Sequence, residues 1–545
     1  MARWSLPVFA LLAVAPRGFA AEPPTIEEVK ANARITAGFD AFQKLPHGLT
    51  LSGSAEVFGM PGTFRCRLLP DGRYARVMTA TADARYQRTI RYDGVVQAAF
   101  WWTEQAPPQT TEHSVGFDGK RRWGRNFAGP VVRLDLEEAD RDRFLFGVLC
   151  QRWLADDGGF TLAVEPALTT GRRVCLTLAH PDAGVTARLY VNRQTWLPEG
   201  LTLPASNGGR AFAFADYREV AGVAVPDRVT IDGETQSFTA EAIAAGAEEA
   251  ADSFAPPRDG GGVAYDPDAP PGLTVKVLDG GLLLVRPRVN GKAVSWFLLD
   301  TGNGAATAVT PAVADRLGLP LFGGVTLHGF GGSAGSRFRA ADRLTLGPVT
   351  LHRPVLAELP QAVADALGDV AGYEIGGVVG WDVFARAVVE VDYEAGRVAV
   401  HDPAGYKPPA GVAWERVLFN SRRPCVSATF EGKHRGLFMF DTGFQGGVIL
   451  NHPAVEAWGL LRGRETAPRQ GFGVGGVHEV RVGPATAFRA FGRERDQVKA
   501  EFAAGPGGGV DDPYTAGTFG LPALGPGTVV FDYPNRRIGF VPRPE

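Results

Sequence analysis

From residue 26 to residue 44, "IEEVKANARITAGFDAFQK", apolar residues recur at helical spacing, which predicts an opening helix. The period then changes. "LTLSGSAEVFG", "TFRCRLLP", "YQRTIRYDG", "VCLTLAH", "TARLYVNRQT" and "RAFAFADYREV" are short alternating runs bounded by turn residues, the pattern of antiparallel strands with one buried face. The N-terminal half is therefore expected to be a long, curved antiparallel sheet with one helix before it. From 246 to 272 the composition shifts to Gly, Pro, Ala and acids, "GAEEAADSFAPPRDGGGVAYDPDAPPG", as in an interdomain linker. Farther on, two oily runs, "WFLL" and "LFMF", each end directly on a carboxylate, Asp300 and Asp441. A run of this kind reads as a buried strand. A carboxylate there costs several kcal/mol, or its pKa rises, unless a neighbour compensates.

These two runs belong to a repeat. "VNGKAVSWFLLDTGNGAATAVTPAVADRLGL" (289–319) aligns with "FEGKHRGLFMFDTGFQGGVILNHPAVEAWGL" (430–460), bringing Asp300 onto Asp441 and Gly318 onto Gly459. "GWDVFARAVVEVDYEAGRVAV" (380–400) likewise aligns with "GLPALGPGTVVFDYPNRRIGF" (520–540). Each copy predicts the same elements in order. A turn at Asn290-Gly291 or Glu431-Gly432 feeds the apolar strand. A short helix follows, with Thr310-Pro311 or Asn451 and Pro453 at its start and Gly318 or Gly459 at its end. Then come a glycine-rich turn, "HGFGGSAG" (328–335) or "GFGVGGV" (471–477), and a closing strand pair. The second half is thus two homologous all-β lobes in one chain, so a complete site needs no dimer.

Homologous lobes pack most simply about a pseudo-twofold axis, where equivalent residues meet. Asp300 and Asp441 would then face each other and share a proton. One carboxylate takes a proton from water while the other donates to a carbonyl oxygen, which is general acid–base hydrolysis. Gly302 and Gly443 let backbone amides approach the carboxylates, and Thr301 and Thr442 have hydroxyls to lock the loops across the axis. Gly329, Phe330, Gly331 and Gly332, with Gly471, Phe472 and Gly473, are expected to form flaps over an extended peptide or protein substrate.

With "FLLDTG" and "FMFDTG", followed by Val378-Val379-Gly380 and Thr518-Phe519-Gly520, residues 273–545 resemble the pepsin/retropepsin-like aspartic proteases, in particular bacterial aspartyl proteases with two lobes per chain. The resemblance implies the two-lobed, pseudo-symmetric acid-protease β-barrel fold and an aspartic endopeptidase, with Asp300 and Asp441 catalytic and no cofactor or metal. The family commonly has Ala or Ser after Asp-Thr-Gly. Here Asn303 has an amide to replace that hydrogen bond, while Phe444 either lines a substrate pocket or marks a weakened site. Asp392, Asp532 and Asp382 read as framework, and His328 as a surface loop residue. "FDGKRRW", "NRQTWLPEGL" and "ADYREVAGVAVPDRVTI" look like LolA-like lipoprotein-sorting domains, implying a module that binds or positions an exported substrate, lipidated or not. Trp101-Trp102 and nearby phenylalanines are placed in ordinary core packing ahead of an apolar groove.

Composition narrows the setting. A net charge of −3, from 56 basic and 59 acidic residues, favours neither nucleic acid nor anionic membrane. "GKRRWGR" (119–125) reads as a solvated turn. Arg3, the apolar "LPVFALLAVA" and Gly18-Phe19-Ala20 read as an export signal, so the mature protein is expected to be secreted or periplasmic, without a membrane span. Cys66, Cys150, Cys175 and Cys425 are too few for a disulfide scaffold, and the sequence leaves a Cys150–Cys175 bridge open. The expected order is signal peptide 1–21, LolA-like domain 22–250, linker 251–272, and lobes 273–405 and 411–545. The leading function is an exported aspartic endopeptidase; the alternative is a non-catalytic periplasmic binding protein built on the protease scaffold.

Overall fold

The computed structural model describes residues 22–543 apart from 83–86, 93–94, 102–108, 207–208, 232–235, 248–252, 259–260 and 294; at 87–92, 95–101 and 370 it describes the backbone alone. The export segment, Trp102 and the Trp101 side chain lie outside the described residues.

The fold is mostly β. The opening helix is Ile26–Thr36, capped by Thr25, whose hydroxyl accepts the Glu28 N–H at 3.2 Å. Gly38, at φ +67°, breaks the predicted helix and starts a second, Phe39–Gln43, because the left-handed region is open to glycine without a steric cost. Five of the alternating runs lie in one 13-stranded antiparallel sheet from Val132–Arg133 at one edge to Thr161–Val164 at the other, while Gln87–Tyr92, from "YQRTIRYDG", pairs with Val95–Trp101 in a separate two-stranded sheet. Its core holds Phe64, Phe144, Phe146, Phe212 and Phe238, so most of these phenylalanines are ordinary packing. Lys120 and Arg121 sit at a turn where both N–H groups donate to Asp118 at 2.7 Å.

A helix the periodicity did not predict, Leu136–Leu149, joins this sheet to the rest of the chain. It is buried nearly all round, Glu137, Glu138, Asp140 and Asp142 included. Phe144 and Phe146 enter the N-terminal core. Its first turn instead reaches the second lobe. Asp135 accepts the Phe419 N–H at 3.1 Å and pairs with Arg536, and Glu138 pairs with Arg422 at 2.9 Å. The first lobe is joined as well, since Phe58 and Phe127 pack on Phe338 with ring centroids 5.7 and 4.4 Å apart.

The two lobes repeat one strand order. In the first it is Val275–Val277, Leu283–Val285, Trp296–Leu299, Ile375–Val379, Ala308–Val309, Val355–Glu358, Gly332–Ala340, Leu321–Gly329; the second follows the same order from Leu418–Asn420 to Ala467–Gly473. Asn290 and Gly291 take φ of 49° and 81°, and Glu431 and Gly432 take 50° and 69°, as the expected turns require. The closing strand pairs do not stay within their own lobes. Val388–Asp392 pairs with Gly527–Asp532, making one five-stranded sheet shared by both. Asp392 and Asp532 pin the turns of that sheet through Arg397 at 2.9 Å and Arg537 at 2.7 Å. The stretch read as a linker is also partly structural: Val263–Tyr265 pairs with Val349–His352. All four cysteines are buried and unpaired, so Cys150 and Cys175 are not bridged.

Candidate active site

Each Asp-Thr-Gly loop is set by two strands running in parallel beneath it. Trp296–Leu299 pairs with Ile375–Val379, and His434–Phe440 pairs with Gly517–Phe519. The Asp300 N–H donates to the Val379 carbonyl at 3.1 Å, and the Asp441 N–H to Phe519 at 2.9 Å. Gly380 and Gly520 must be small. A Cβ on Gly380 would lie 2.5 Å from the Asn303 amide nitrogen, and one on Gly520 2.4 Å from the Phe444 carbonyl oxygen.

Thr301 and Thr442 lock the loops across the axis. The Thr301 N–H donates to Thr442 Oγ1 and the Thr442 N–H to Thr301 Oγ1, both at 3.0 Å. Each hydroxyl in turn donates into the opposite strand, Thr301 to the Phe440 carbonyl and Thr442 to Leu299, both at 2.7 Å. All four contacts are buried.

The carboxyls meet between these loops and hydrogen-bond to each other. Asp300 Oδ1 accepts the N–H groups of Gly302 at 2.7 Å and Asn303 at 3.2 Å; Asp441 Oδ1 accepts Gly443 at 2.7 Å. The glycines also lie against the opposite acid. A Cβ on Gly302 would sit 2.5 Å from Asp441 Oδ2, and one on Gly443 2.7 Å from Asp300 Cγ. Burial, then the Asp441 charge, push Asp300 well above the ordinary carboxylate range. Burial also raises Asp441, while its bond with Asp300 and the nearby Arg423 oppose that rise. The pair therefore retains one proton between its two carboxyls.

Asn303 does not take the role expected of it. Its side chain donates to the Ala306 carbonyl at 2.8 Å and accepts the Ala305 N–H at 3.3 Å. It shapes its own loop, and only its backbone N–H reaches Asp300. Asp382 braces the same loop, accepting the N–H and hydroxyl of Thr307, each at 2.8 Å. Phe444 packs toward Ile449, Val480, Ala503 and Val510 and lines the cavity above the carboxyls. It is a wall residue.

Two hairpins cover that cavity. Leu321–Gly329 and Gly332–Ala340 turn at Phe330-Gly331, placing Gly329, Phe330, Gly331 and Gly332 at the first tip as expected. The second tip is Val474-Gly475, one step beyond the expected residues. Gly471, Phe472 and Gly473 lie on the strand leading to it. The tips touch. Gly331 N–H donates to the Val474 carbonyl at 3.0 Å, and a Cβ on Gly475 would lie 2.2 Å from the Gly332 carbonyl carbon. Gly475→Ala is therefore expected to part the tips, speeding hydrogen exchange at the Gly331 amide roughly tenfold. Unchanged exchange would mean that the tips are not latched by this contact.

The cavity is about 1140 Å³, and both lobes line it together with Phe58, Phe127, Glu137, Ser206 and Arg210 of the N-terminal half. This contribution was not visible in the sequence. One signal was available: the repeat places Arg423 opposite Leu282, a charge where the other copy is apolar. His328, read as a surface loop residue, hydrogen-bonds with Ser333 at 2.7 Å within the first hairpin and is among the residues that line the cavity.

Residues 285–383 match the aspartyl protease family, a region that includes Asp300 and Gly380. No curated protein matches the chain. Among solved structures, basic 7S globulin from soybean is 12% identical with a TM-score of 0.31, covering 51% of this chain and 96% of its own. Conglutin gamma from lupine seeds is 13% identical at 0.29, covering 50% and 95%. A retropepsin-like aspartic protease from Rickettsia conorii is 15% identical at 0.18, covering 25% and 95%.

Proposed function

We propose that this chain is an exported aspartic endopeptidase whose catalytic residues are Asp300 and Asp441. The observation that carries the reading is a proton-sharing pair of carboxyls at the floor of a flap-covered cavity. The aspartyl protease match over residues 285–383 supports the same class of chemistry.

In this mechanism a water sits between the two carboxyls, beneath the carbonyl carbon of a peptide bond. Asp441 takes a proton from the water as the water oxygen attacks that carbon. Asp300 gives its proton to the carbonyl oxygen, forming a neutral gem-diol. Collapse returns the diol proton to one carboxyl, while the leaving nitrogen takes a proton from the other. The N–H groups of Gly302, Asn303 and Gly443 hold the carboxyl oxygens in place, which lowers the reorganisation needed during reaction. The flaps exclude bulk water and hold the substrate extended.

Export rests on the N-terminal pattern of Arg3 and the apolar run after it. The LolA-like resemblance supports a role for the N-terminal domain in presenting an exported substrate.

The pH profile tests the mechanism. Catalysis needs one proton on the pair, so kcat/KM should rise as the first carboxyl ionises and fall as the second loses its proton. Because Asp300 is raised, the falling limb should lie above the ordinary carboxylate range. Cleavage of an unfolded protein followed across pH should give this bell. Cleavage independent of pH would refute the dyad mechanism. Absence of cleavage at every pH would favour the scaffold reading.

A further inference from the structure

The cleft is asymmetric in a way that its two-lobed origin does not require. By the repeat, the turn Gly280-Gly281 in the first lobe corresponds to Ser421-Arg422 in the second, and Leu282 corresponds to Arg423. Each turn packs against the opposite Asp-Thr-Gly loop. A Cβ on Gly280 would lie 3.0 Å from Gln445 Cβ; one on Gly304 would lie 2.2 Å from the Ser421 carbonyl oxygen and 3.2 Å from Arg423 Cγ. The turns therefore mark equivalent positions on opposite sides of the carboxyl pair.

Their surroundings differ. Around Leu282 the cavity wall is apolar, with Leu298, Leu359, Val363 and Leu367. Around Arg423 the wall is charged and comes partly from the N-terminal domain. The second turn itself is unusual, because Ser421 and Arg422 take φ of 50° and 64° without glycine. Contacts from that domain oppose the strain. Arg422 pairs with Glu138, and Glu137 accepts from Arg210 at 3.3 Å and from the Ser206 N–H at 3.2 Å. Both glutamates on this wall are thus engaged by other groups.

Arg423 is placed differently. It lines the cavity, and its hydrogen bonds go to neutral acceptors, Ser206 Oγ at 3.4 Å and the Asn420 carbonyl at 3.2 Å. Two acids of the second lobe feel its charge, Asp441 of the pair and Asp512, and Asp512 is itself bound by Asn420, Thr515 and the Tyr514 N–H. Among the described residues, no carboxylate lies within ion-pair distance of Arg423. A half-buried guanidinium beside the dyad, held only by neutral oxygens, suits an anionic group brought by the ligand. A planar fork of donors matches a carboxylate in particular.

We propose that Arg423, steadied by Ser206 of the N-terminal domain, binds a carboxylate of the substrate at the domain-walled end of the cleft, while the Leu282 end takes apolar residues. The inference rests on reading the cavity as a peptide cleft. The carboxylate has two sources, the C-terminus of the substrate or an acidic side chain, and both have the same recognition chemistry. In either case the N-terminal domain gives a near-symmetric cleft one preferred direction.

The test separates this from catalysis by measuring binding to the full-length Asp441→Asn protein. The probes are N-acetylated octapeptide mixtures in matched pairs, one pair differing as C-terminal acid and amide, the other as internal Glu and Gln. Retention by the immobilised protein is compared by mass spectrometry, with and without Arg423→Leu, the residue of the other lobe. Arg423→Gln, which keeps a donor for Ser206, serves if the leucine variant does not fold.

The expected result is roughly 10- to 100-fold tighter binding of one carboxylate-bearing set, lost on either substitution. Which pair discriminates identifies the source. Equal retention of acid and neutral probes, retained discrimination without Arg423, or binding of no probe would overturn the proposal. Hydrolysis by the wild type is scored separately. Discrimination in binding without any cleavage would defeat the protease reading alone, whereas cleavage without discrimination would defeat the carboxylate site alone.

Discussion

Asp300→Asn is expected to lower peptide hydrolysis by about 10²- to 10⁴-fold and, at neutral pH, to make the protein more stable. The two effects have one cause. Burial and the neighbouring Asp441 push the Asp300 carboxyl well above the ordinary carboxylate range. A group with a higher pKa folded than unfolded holds its proton more tightly in the folded state. Stability then falls as pH rises from the unfolded value through the folded one. Asparagine has no proton to lose in that window. Its Oδ1 still accepts from Gly302 and Asn303, so the loop keeps those hydrogen bonds. Thermal unfolding of wild type and variant should therefore coincide near pH 3, roughly, and separate by about pH 7, with the variant higher. A variant less stable at neutral pH would mean that the pair is not strained by shared charge. A lone buried framework Asp, by contrast, would be expected to lose stability when altered.

Thr442→Val carries the second large effect. The hydroxyl accepts from Thr301 N–H and donates to the Leu299 carbonyl. Valine leaves both groups buried without those partners, each costing about 1–3 kcal/mol. A total of about 2–5 kcal/mol is expected, large against the stability of an ordinary domain. Thr301→Val should cost a similar amount by pseudo-symmetry. The double variant should cost less than the sum, because both hydroxyls serve one network. Urea unfolding monitored through the protease lobes measures all three. Additive costs would show that the two threonines act independently. Activity should fall in step, since the same bonds fix the separation of the two acids.

The site was legible because its chemistry is local. Asp, Thr and Gly are consecutive, the strand before them is uniformly apolar, and a second copy keeps register with the first. The alternating strands of the N-terminal sheet were legible for a related reason, since one face of each packs and the other meets solvent. The helix Leu136–Leu149 was not. It is buried nearly all round, so its acids and apolar residues show no single stripe. The sharing of the closing strands between lobes was hidden because a hairpin looks the same whichever neighbour it pairs with. Asn303 misled because residue type gives its hydrogen-bonding capacity but not its rotamer. The N-terminal wall of the cleft depends on contacts such as Glu138 to Arg422, hundreds of residues apart, which no local pattern encodes.

The oily run before Asp441 illustrates how these levels join. Phe438 and Phe440 bury completely, and the strand aims the carboxyl at Asp300 rather than at solvent. Phe444, three residues on, turns away from the acids and into the wall of the cavity. It therefore shapes the space a substrate would fill without removing a hydrogen bond that the carboxyl needs, because Gly443 N–H supplies one.

The most direct measurement of the central claim is hydrolysis of a diverse peptide library by the full-length wild type beside Asp441→Asn, with new termini read by mass spectrometry. Cleavage by the wild type and its loss in the variant is the predicted result. Equal cleavage by both, or none by the wild type, would contradict a catalytic pair formed by Asp300 and Asp441.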